Sequence, residues 1–180
     1  TEQLFFAKLQ NGLAIEKQGR SAATHWDRMV TDYAAAKAGG AEMGLATEFA
    51  AQVMMKLAKP KLDAALALRI SGPDRPVSDK QEGEILKDQL ISKAKAVQAI
   101  EASYLDIIKL GAGEYGLAAL VDLGGLYANL AETLRGAYAP PTLTADQIEL
   151  YRMGLEDKAY PNDEKAVQAY SQALGKSYEL

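Results

Sequence analysis

The sequence contains no cysteine and only one histidine among its 180 residues. Without cysteine the chain forms no disulfide, no zinc-thiolate site and no iron–sulfur cluster, and it offers no thiol for catalysis. The single histidine, His25, excludes a His-based metal site of the ordinary kind and leaves no second imidazole for a catalytic triad. Since His25 stands beside Trp26 on a predicted helix, we interpret it as a surface or half-buried residue without a catalytic role.

Clusters of basic residues are also missing from the chain. The sequence has 20 Lys and Arg against 24 Asp and Glu, which gives a formal net charge of -4 and a pI of about 5.1. Binding to nucleic acid requires a basic face that neutralises phosphates, so we predict no nucleic-acid partner. Residues 1–80 hold 11 basic and 9 acidic side chains, whereas residues 81–180 hold 9 and 15. The acidic second half favours solubility first and a basic partner second.

Long hydrophobic runs are absent as well. The segment 115–131 comes nearest, but it is interrupted by Asp122 and three glycines and is shorter than the roughly 20 residues that a bilayer requires. We therefore predict an enclosed helix there, and no membrane span.

The N-terminus has neither a basic leader nor a small-residue cleavage site, so no signal peptide is predicted. A chain that begins at Thr1 and ends within a helical pattern at Leu180 is typical of a mature product or of a piece of a longer protein.

The alternating β-branched and aromatic runs that strands require do not occur. Ala, Leu, Lys, Glu and Gln dominate instead, and apolar residues recur at spacings of three and four, which predicts an all-α protein. Glycine and proline pairs separate the helices, and capping boxes are expected at Ser78 with Gln81 and at Thr144 with Gln147. We predict helices at 2–18, 22–37, 41–58, 61–70, 79–110, 114–135, 145–159 and 163–178.

The segment 71–76, Ser-Gly-Pro-Asp-Arg-Pro, contains the strongest helix breakers in the chain. It coincides with the change in charge and precedes the region that holds eight of the nine tyrosines. It divides the chain into N-terminal helical hairpins at 1–72 and C-terminal helical repeats at 78–180. Because the segment is short, we predict one continuous stack rather than two independent domains.

Internal repetition is the most specific feature of the sequence. In a tetratricopeptide-type repeat of about 34 residues, a large apolar residue, then Leu-Gly, then Tyr lie at fixed spacing on the first helix. Glycine or alanine is needed where two helices cross closely. Partial copies of this spacing occur at Leu120-Leu123-Gly124-Tyr127, Trp26-Met29-Val30-Tyr33 and Leu150-Met153-Gly154-Asp157. In the segment 145–178 a second-helix pattern follows, with Ala166, Tyr170, Ala173 and Leu174, so this segment predicts one whole repeat.

The chain thus resembles tetratricopeptide-repeat proteins. The resemblance implies stacked antiparallel helical hairpins that form an irregular, right-handed solenoid, which binds other proteins or peptides. The stretch 99–180 is similar to tetratricopeptide proteins of the cell envelope in gliding and predatory deltaproteobacteria. That similarity implies a periplasmic or outer-membrane-associated location and a scaffolding role in a larger assembly.

Two patterns suggest chemistry, and both have a simpler explanation. Gly111, Gly113 and Gly116 match the dinucleotide-binding fingerprint, but a helix rather than a strand precedes them, so we predict a helix end and a tight turn. The acidic pairs at 156–157 and 163–164 flank Pro161 and could hold a divalent cation, but no loop with ligands at alternate positions is present. We interpret these carboxylates as solvated charges and predict no metal and no cofactor.

The tyrosines of the second half divide into core and surface positions. Tyr104, Tyr127 and Tyr170 fall on predicted core positions of the repeat helices. Tyr151 and Lys158 lie seven residues apart, on one helix face that the resemblance implies is concave. We therefore predict that Tyr151 and Lys158 are exposed and contact a partner.

Three classes of function are compatible with the sequence. The first is a non-catalytic scaffold or adaptor domain for protein–protein interaction, because no catalytic constellation accompanies the helical pattern. The alternative is a helical carrier or sensor domain that binds a small apolar ligand, and the third class is a helical enzyme that uses carboxylates. An apolar stripe on the last predicted helix also favours self-association and comprises Val167, Tyr170, Leu174 and Tyr178.

Overall fold

The computed structural model describes residues 1–179, and within them the chain forms six α-helices and no strand. The prediction of an all-α protein is therefore confirmed. Leu180, the last residue of the predicted C-terminal unit, lies outside the described residues. The helices are α1 (Glu2–Lys17), α2 (Ala23–Ala38), α3 (Ala46–Ala67), α4 (Asp79–Leu110), α5 (Gly113–Arg135) and α6 (Ala145–Ser177).

Local chemistry sets several helix ends as the sequence predicts. Helix α4 begins at the capping box of Ser78, and α6 begins at the capping box of Thr144, whose amide donates to the Gln147 side chain at 2.9 Å. Helix α4 ends at Gly111, which has a φ of 78° and accommodates the left-handed turn. The Gly-rich pattern at 111–116 is thus a helix end followed by the start of α5.

The predicted helices 41–58 and 61–70 are wrong, because α3 runs without interruption through Pro60. Proline removes one backbone hydrogen bond of a helix, but packing outweighs that loss when the buried face continues on both sides. Here Ala51 and Ala58 before the proline lie on the same face as Leu62 and Ala65 after it, and all four are buried. The stop that the proline was expected to impose therefore does not occur.

The predicted helices 145–159 and 163–178 are also wrong as separate helices, since α6 is one helix of 33 residues that passes through Pro161. The Asn162 side chain donates to the Lys158 carbonyl at 2.8 Å and supports the chain beside the proline. A continuous row of buried residues, four of them alanines, packs on α5. As a result, 145–178 does not form the helix–turn–helix of one repeat. The row comprises Leu155, Ala159, Ala166, Ala169 and Ala173.

The helices pack in the order of the chain. Each helix packs on the next one along the chain, from α1 on α2 to α5 on α6. In addition, α1 packs on α3 and α3 packs on α5, whereas within residues 1–179 α2 does not pack on α4, nor α4 on α6. The odd-numbered helices thus form one row, and the even-numbered helices lie along it with gaps between them.

The central core is formed by α3, α4 and α5, and α6 adds Ala166 to it. Tyr104 and Tyr127 are buried there, as predicted, and their hydroxyls donate to Asp122 at 2.9 Å and to Glu101 at 2.6 Å. Burial, together with these hydrogen bonds to carboxylates, raises the pKa of both phenols far above the ordinary value. Tyr170, predicted as core, is instead 42% exposed, although one edge of its ring covers Gly124 on α5.

The contact between Gly124 and Tyr170 yields the first prediction. A Cβ atom on Gly124 would lie 2.6 Å from the Tyr170 ring, so Gly124→Leu must push that ring outward or separate α5 from α6. We expect a loss of about 1–3 kcal/mol of unfolding free energy, measured by urea denaturation. Gly125→Leu is the control, because a Cβ atom there meets only the Tyr170 hydroxyl, at 3.7 Å. Equal stability of the two variants would contradict the close approach.

A buried lysine connects three helices. The ammonium of Lys93 on α4 donates to the carbonyls of Ala65 at 2.8 Å and Leu68 at 3.2 Å, at the end of α3, and to the Asn129 side chain of α5 at 2.6 Å. The side chain is fully buried. Desolvation, and then the nearby charge of Arg69, lower the pKa of Lys93 to about 8.

Candidate functional site: an apolar groove between α4 and α6

A groove of about 460 Å³ separates the first half of α4 from the first half of α6. It exists because these two helices do not pack on each other within the described chain, and each of them packs on α5 instead. Its lining is almost entirely apolar. The residues that line it are Ile70, Gly83, Leu86, Lys87, Leu90, Ala137, Leu150, Tyr151, Gly154, Leu155 and Lys158.

The floor of the groove belongs to a compact cluster of buried residues. Ile70 from the α3–α4 loop, Ala137 from the α5–α6 loop and Leu155 from α6 are all buried and pack with the end of α5. Leu86 and Leu90 of α4 are half-buried against the same cluster and form one wall. The floor of the groove is therefore part of the packed interior of the fold.

Tyr138 holds the two walls in place. Its hydroxyl donates to the buried Glu82 of α4 at 2.9 Å, and its amide donates to the Ile70 carbonyl at 2.8 Å. Its own carbonyl accepts the Tyr151 hydroxyl of α6 at 2.9 Å. The hydrogen bond to the Glu82 carboxylate raises the pKa of Tyr138. One loop residue therefore fixes the spacing between α4 and α6.

The end of α5 is tied to α6 by the neighbouring side chain. Arg152 donates to the carbonyls of Arg135 and Ala137, both at 2.9 Å, and so satisfies groups that the end of a helix leaves without partners. Tyr151 satisfies the next free carbonyl, that of Tyr138. The adjacent pair Tyr151 and Arg152 thus anchors the α5–α6 loop.

The structure brings the two predicted contact residues, Tyr151 and Lys158, into the same groove. Lys158 is exposed, as expected, and Tyr151 is half-buried because its hydroxyl is engaged by the loop. Burial raises the pKa of Tyr151. They do not lie on the first helix of a hairpin within 145–178, since α6 is a single helix that pairs with α5.

The opposite wall was not predicted from the sequence. Lys87 of α4 is exposed at the rim, across from Lys158, and neither lysine forms an ion pair with another residue of the described chain. Two unpaired ammonium groups therefore border an apolar surface. Such a border complements an apolar ligand or peptide that carries a carboxylate.

Two glycines face the groove, one from each wall. Gly83 lies inside α4 and Gly154 inside α6, and a Cβ atom on either would meet nothing within 4 Å. Neither glycine has the positive φ that would require its conformational freedom. Glycine in a helix interior is destabilising by about 0.5–1 kcal/mol relative to alanine. No contact within the folded chain offsets this loss, and the glycines leave the groove open to a molecule that approaches the backbone.

The remaining candidate residues serve the fold. Arg135 donates to Glu156 through two hydrogen bonds of 2.7 and 2.8 Å and to Asp163 at 2.5 Å, and its hydrogen bonds to Glu156 lower the pKa of that carboxyl. The carboxylates of Glu156 and Asp163, which the sequence suggested as cation ligands, therefore bind the guanidinium of Arg135. The half-buried His25 shares a hydrogen bond of 2.7 Å with the Lys8 carbonyl.

The described helices contain no segment that is both long and apolar enough to cross a bilayer. Among the described residues, no group of three or more acidic or histidine side chains is arranged to hold a metal ion. Comparisons of the chain with protein-family models, with curated proteins and with solved structures found no match.

Proposed function

We propose that this protein is a non-catalytic interaction scaffold, in which the groove between α4 and α6 binds an apolar segment of another protein. The observation that carries the proposal is the pair Gly83 and Gly154. These glycines keep the groove open from both walls, although no neighbouring atom of the fold would clash with a Cβ atom at either position. Tyr151 supplies an aromatic surface, and Lys158 and Lys87 supply charge at the rim. Aromatic anchors with a charged border are typical of protein-binding sites.

The lining of the groove supports binding rather than catalysis. It contains no carboxylate, imidazole or hydroxyl other than the Tyr151 phenol, and that phenol already donates to a backbone carbonyl. General acid–base catalysis requires a titratable group within reach of the substrate. The lysines at the rim, with their strongly hydrated charges, suit ion pairing with a partner.

We also propose that the six helices form an irregular tetratricopeptide-like solenoid, which the resemblance implies is right-handed; the order in which the helices pack supports the stacking of hairpins. Three hairpins follow one another, and the first helix of each packs on the first helix of the next, as α1 does on α3 and α3 on α5. This leaves gaps between the second helices, and the groove between α4 and α6 is such a gap. The binding site then lies on the row of second helices.

Filling the groove tests the proposal. In Gly154→Leu the new side chain enters open space, so the folded chain should be at least as stable as before, whereas the groove is blocked. Gly175→Leu is the matched control, because Gly175 also lies in α6 with nothing within 4 Å but does not line the groove. With both variants as bait in extracts of the native source, quantitative mass spectrometry should show at least a tenfold loss of specific partners only for Gly154→Leu. Equal recovery would refute the groove as the binding site.

A second candidate function is the transport or sensing of a small apolar ligand, and the cavity itself favours it. Ligand sites commonly measure about 300–1,000 Å³ and are mostly apolar, and this groove has about 460 Å³. Native mass spectrometry of the protein purified from its source separates the two functions. A bound small molecule that Gly154→Leu removes, without loss of protein partners, would favour the carrier over the scaffold.

A further inference from the structure

A second apolar surface runs along the outer side of α6, away from the groove. Met153, Tyr160, Val167 and Leu174 occur every seven residues, and each side chain is between 57% and 64% exposed. Together they span about 30 Å of helix, at 1.5 Å per residue. We call these four residues the outer stripe. Nothing in the described chain covers it.

The outer stripe is distinct from the face by which α6 packs on its own fold. That inner face is formed by small residues such as Ala159, Ala166 and Ala173, which are buried against α5. At 100° per residue, the two faces lie on well-separated sides of the helix. An exposed apolar row that continues over three heptads offers one face to a second, amphipathic helix. The geometry of α6 therefore accommodates one neighbour inside and a second outside.

The charged side chains of α6 beside the outer stripe are all acidic. By helical geometry they lie within about 60° of the stripe and comprise Asp146, Glu149, Glu156, Asp157, Asp163 and Glu164. Glu156 and Asp163 bind Arg135, whereas the other four carboxylates form no ion pair with another described residue. The basic side chains of α6 lie farther from the stripe: Arg152 donates to carbonyls at the end of α5, and Lys165 lies over the Tyr127 ring. The outer face of α6 is thus both apolar and acidic.

We infer that the outer face of α6 binds a basic amphipathic helix of another protein, with apolar residues on the stripe and Lys or Arg beside the four carboxylates. Charge complementarity selects this occupant over a second copy of the chain. A second copy would bring the same four unpaired carboxylates to the interface. In an antiparallel pair centred on the stripe, the two Glu164 side chains would meet. The inference does not depend on the groove, which is lined by other side chains of α6.

Three synthetic peptides of about 21 residues, or three heptads, provide the test. One has leucine at the two core positions of each heptad with lysine at the flanking positions, the second has glutamate in place of lysine, and the third is a scrambled version of the first. Fluorescence anisotropy with the full chain should show that the basic peptide binds at least tenfold more tightly than either of the others. High salt should weaken this binding, because the acids beside the stripe are exposed.

Matched variants locate the interaction on the chain. Val167→Ser should weaken binding of the basic peptide at least fivefold, whereas Val121→Ser, at an exposed valine of α5, should leave it unchanged. Asp157→Asn combined with Glu164→Gln should weaken it similarly and reduce its salt dependence. Neutralising Glu84 and Asp88, two exposed acids of α4, should not.

Three outcomes would overturn the inference. The first is equal binding of the basic and scrambled peptides, and the second is equal binding by the Val167→Ser and Val121→Ser variants. The third is a dimer in analytical ultracentrifugation that Val167→Ser dissociates, because the stripe would then belong to a second copy. Retained binding of the basic peptide by Gly154→Leu, whose groove is filled, keeps this test separate from that of the proposed function.

Discussion

Replacing Lys93 with methionine is expected to reduce the free energy of unfolding by about 2–4 kcal/mol, because three oxygens lose a charged hydrogen-bond donor inside the fold. The methionine side chain is of similar length, so the space stays filled while the Asn129 oxygen loses its donor. The carbonyls of Ala65 and Leu68 keep only longer hydrogen bonds of 3.3 Å, from the Leu68 amide and the Arg69 side chain. Urea denaturation at pH 7 measures the loss. Lys95→Met is the control, because Lys95 lies on the same helix but is exposed.

The lowered pKa of Lys93 adds a pH dependence with a defined sign. Between pH 8 and about 10.4, the ordinary lysine value, the unfolded chain holds a proton that the folded chain has released. Stability therefore rises with pH in this window, and it should not rise in Lys93→Met. Above about pH 10 the raised pKa values of Tyr104 and Tyr127 act in the opposite sense, since only the unfolded phenols ionise.

The measurement compares unfolding free energies at pH 7 and pH 9.5 for the native chain and for Lys93→Met. The difference between the two proteins should be larger at pH 9.5, where Lys93 is neutral in the folded chain and burial of its charge no longer opposes folding. A difference that is the same at both pH values would show that Lys93 keeps an ordinary pKa in the folded chain. If Lys93→Met were as stable as the native chain at pH 7, the hydrogen bonds of Lys93 would contribute nothing to the free energy of unfolding.

Local sequence signals account for much of the fold. The start of α4 and of α6 could be predicted because each depends on residues three positions apart, as Ser78 and Gln81 are. The end of α4 could be predicted because Gly111 adopts a backbone conformation that other residues avoid. Such signals act within one turn of a helix, so they need no knowledge of the rest of the chain.

The two interior prolines show where local signals fail. A proline disfavours the helix by removing one hydrogen bond, but the buried face decides whether the helix continues. Leu155, Ala159, Ala166, Ala169 and Ala173 keep a helical spacing across Pro161. A true turn would have shifted that spacing. The continuous periodicity was therefore the signal that could have predicted one long helix.

The binding groove could be predicted only in part. Tyr151 and Lys158 share a helix face, which the sequence shows, but the opposite wall comes from Gly83 and Lys87, about 70 residues earlier. Their meeting depends on how α4 and α6 pack on α5, and no short-range pattern encodes that arrangement. The same holds for Lys93, whose acceptors lie at the end of α3 and in the middle of α5.

The contact between α1 and α2 leads to the other large expected effect. A Cβ atom on Gly12 would lie 2.0 Å from the ring of Trp26, closer than atoms approach in folded proteins. That ring is buried, and its Nε1–H donates to the Glu16 carboxylate at 2.8 Å, so it has less freedom to move than the exposed Tyr170 ring over Gly124. Gly12→Ala should therefore reduce the free energy of unfolding by about 3 kcal/mol, at the upper end of typical overpacking effects.

Because Trp26 is the only tryptophan, its fluorescence reports the displacement directly. In Gly12→Ala the emission should shift to longer wavelength as the ring moves toward water, together with a lower urea midpoint. Gly83→Ala is the control, since the same substitution inside α4 meets nothing and should stabilise the chain by about 0.5–1 kcal/mol. Combining Gly12→Ala with Trp26→Leu should recover part of the loss, because the smaller side chain leaves room for the added methyl group and the two effects are then not additive. Additive losses would mean that Gly12 and Trp26 act independently and that α1 and α2 do not rely on this close approach.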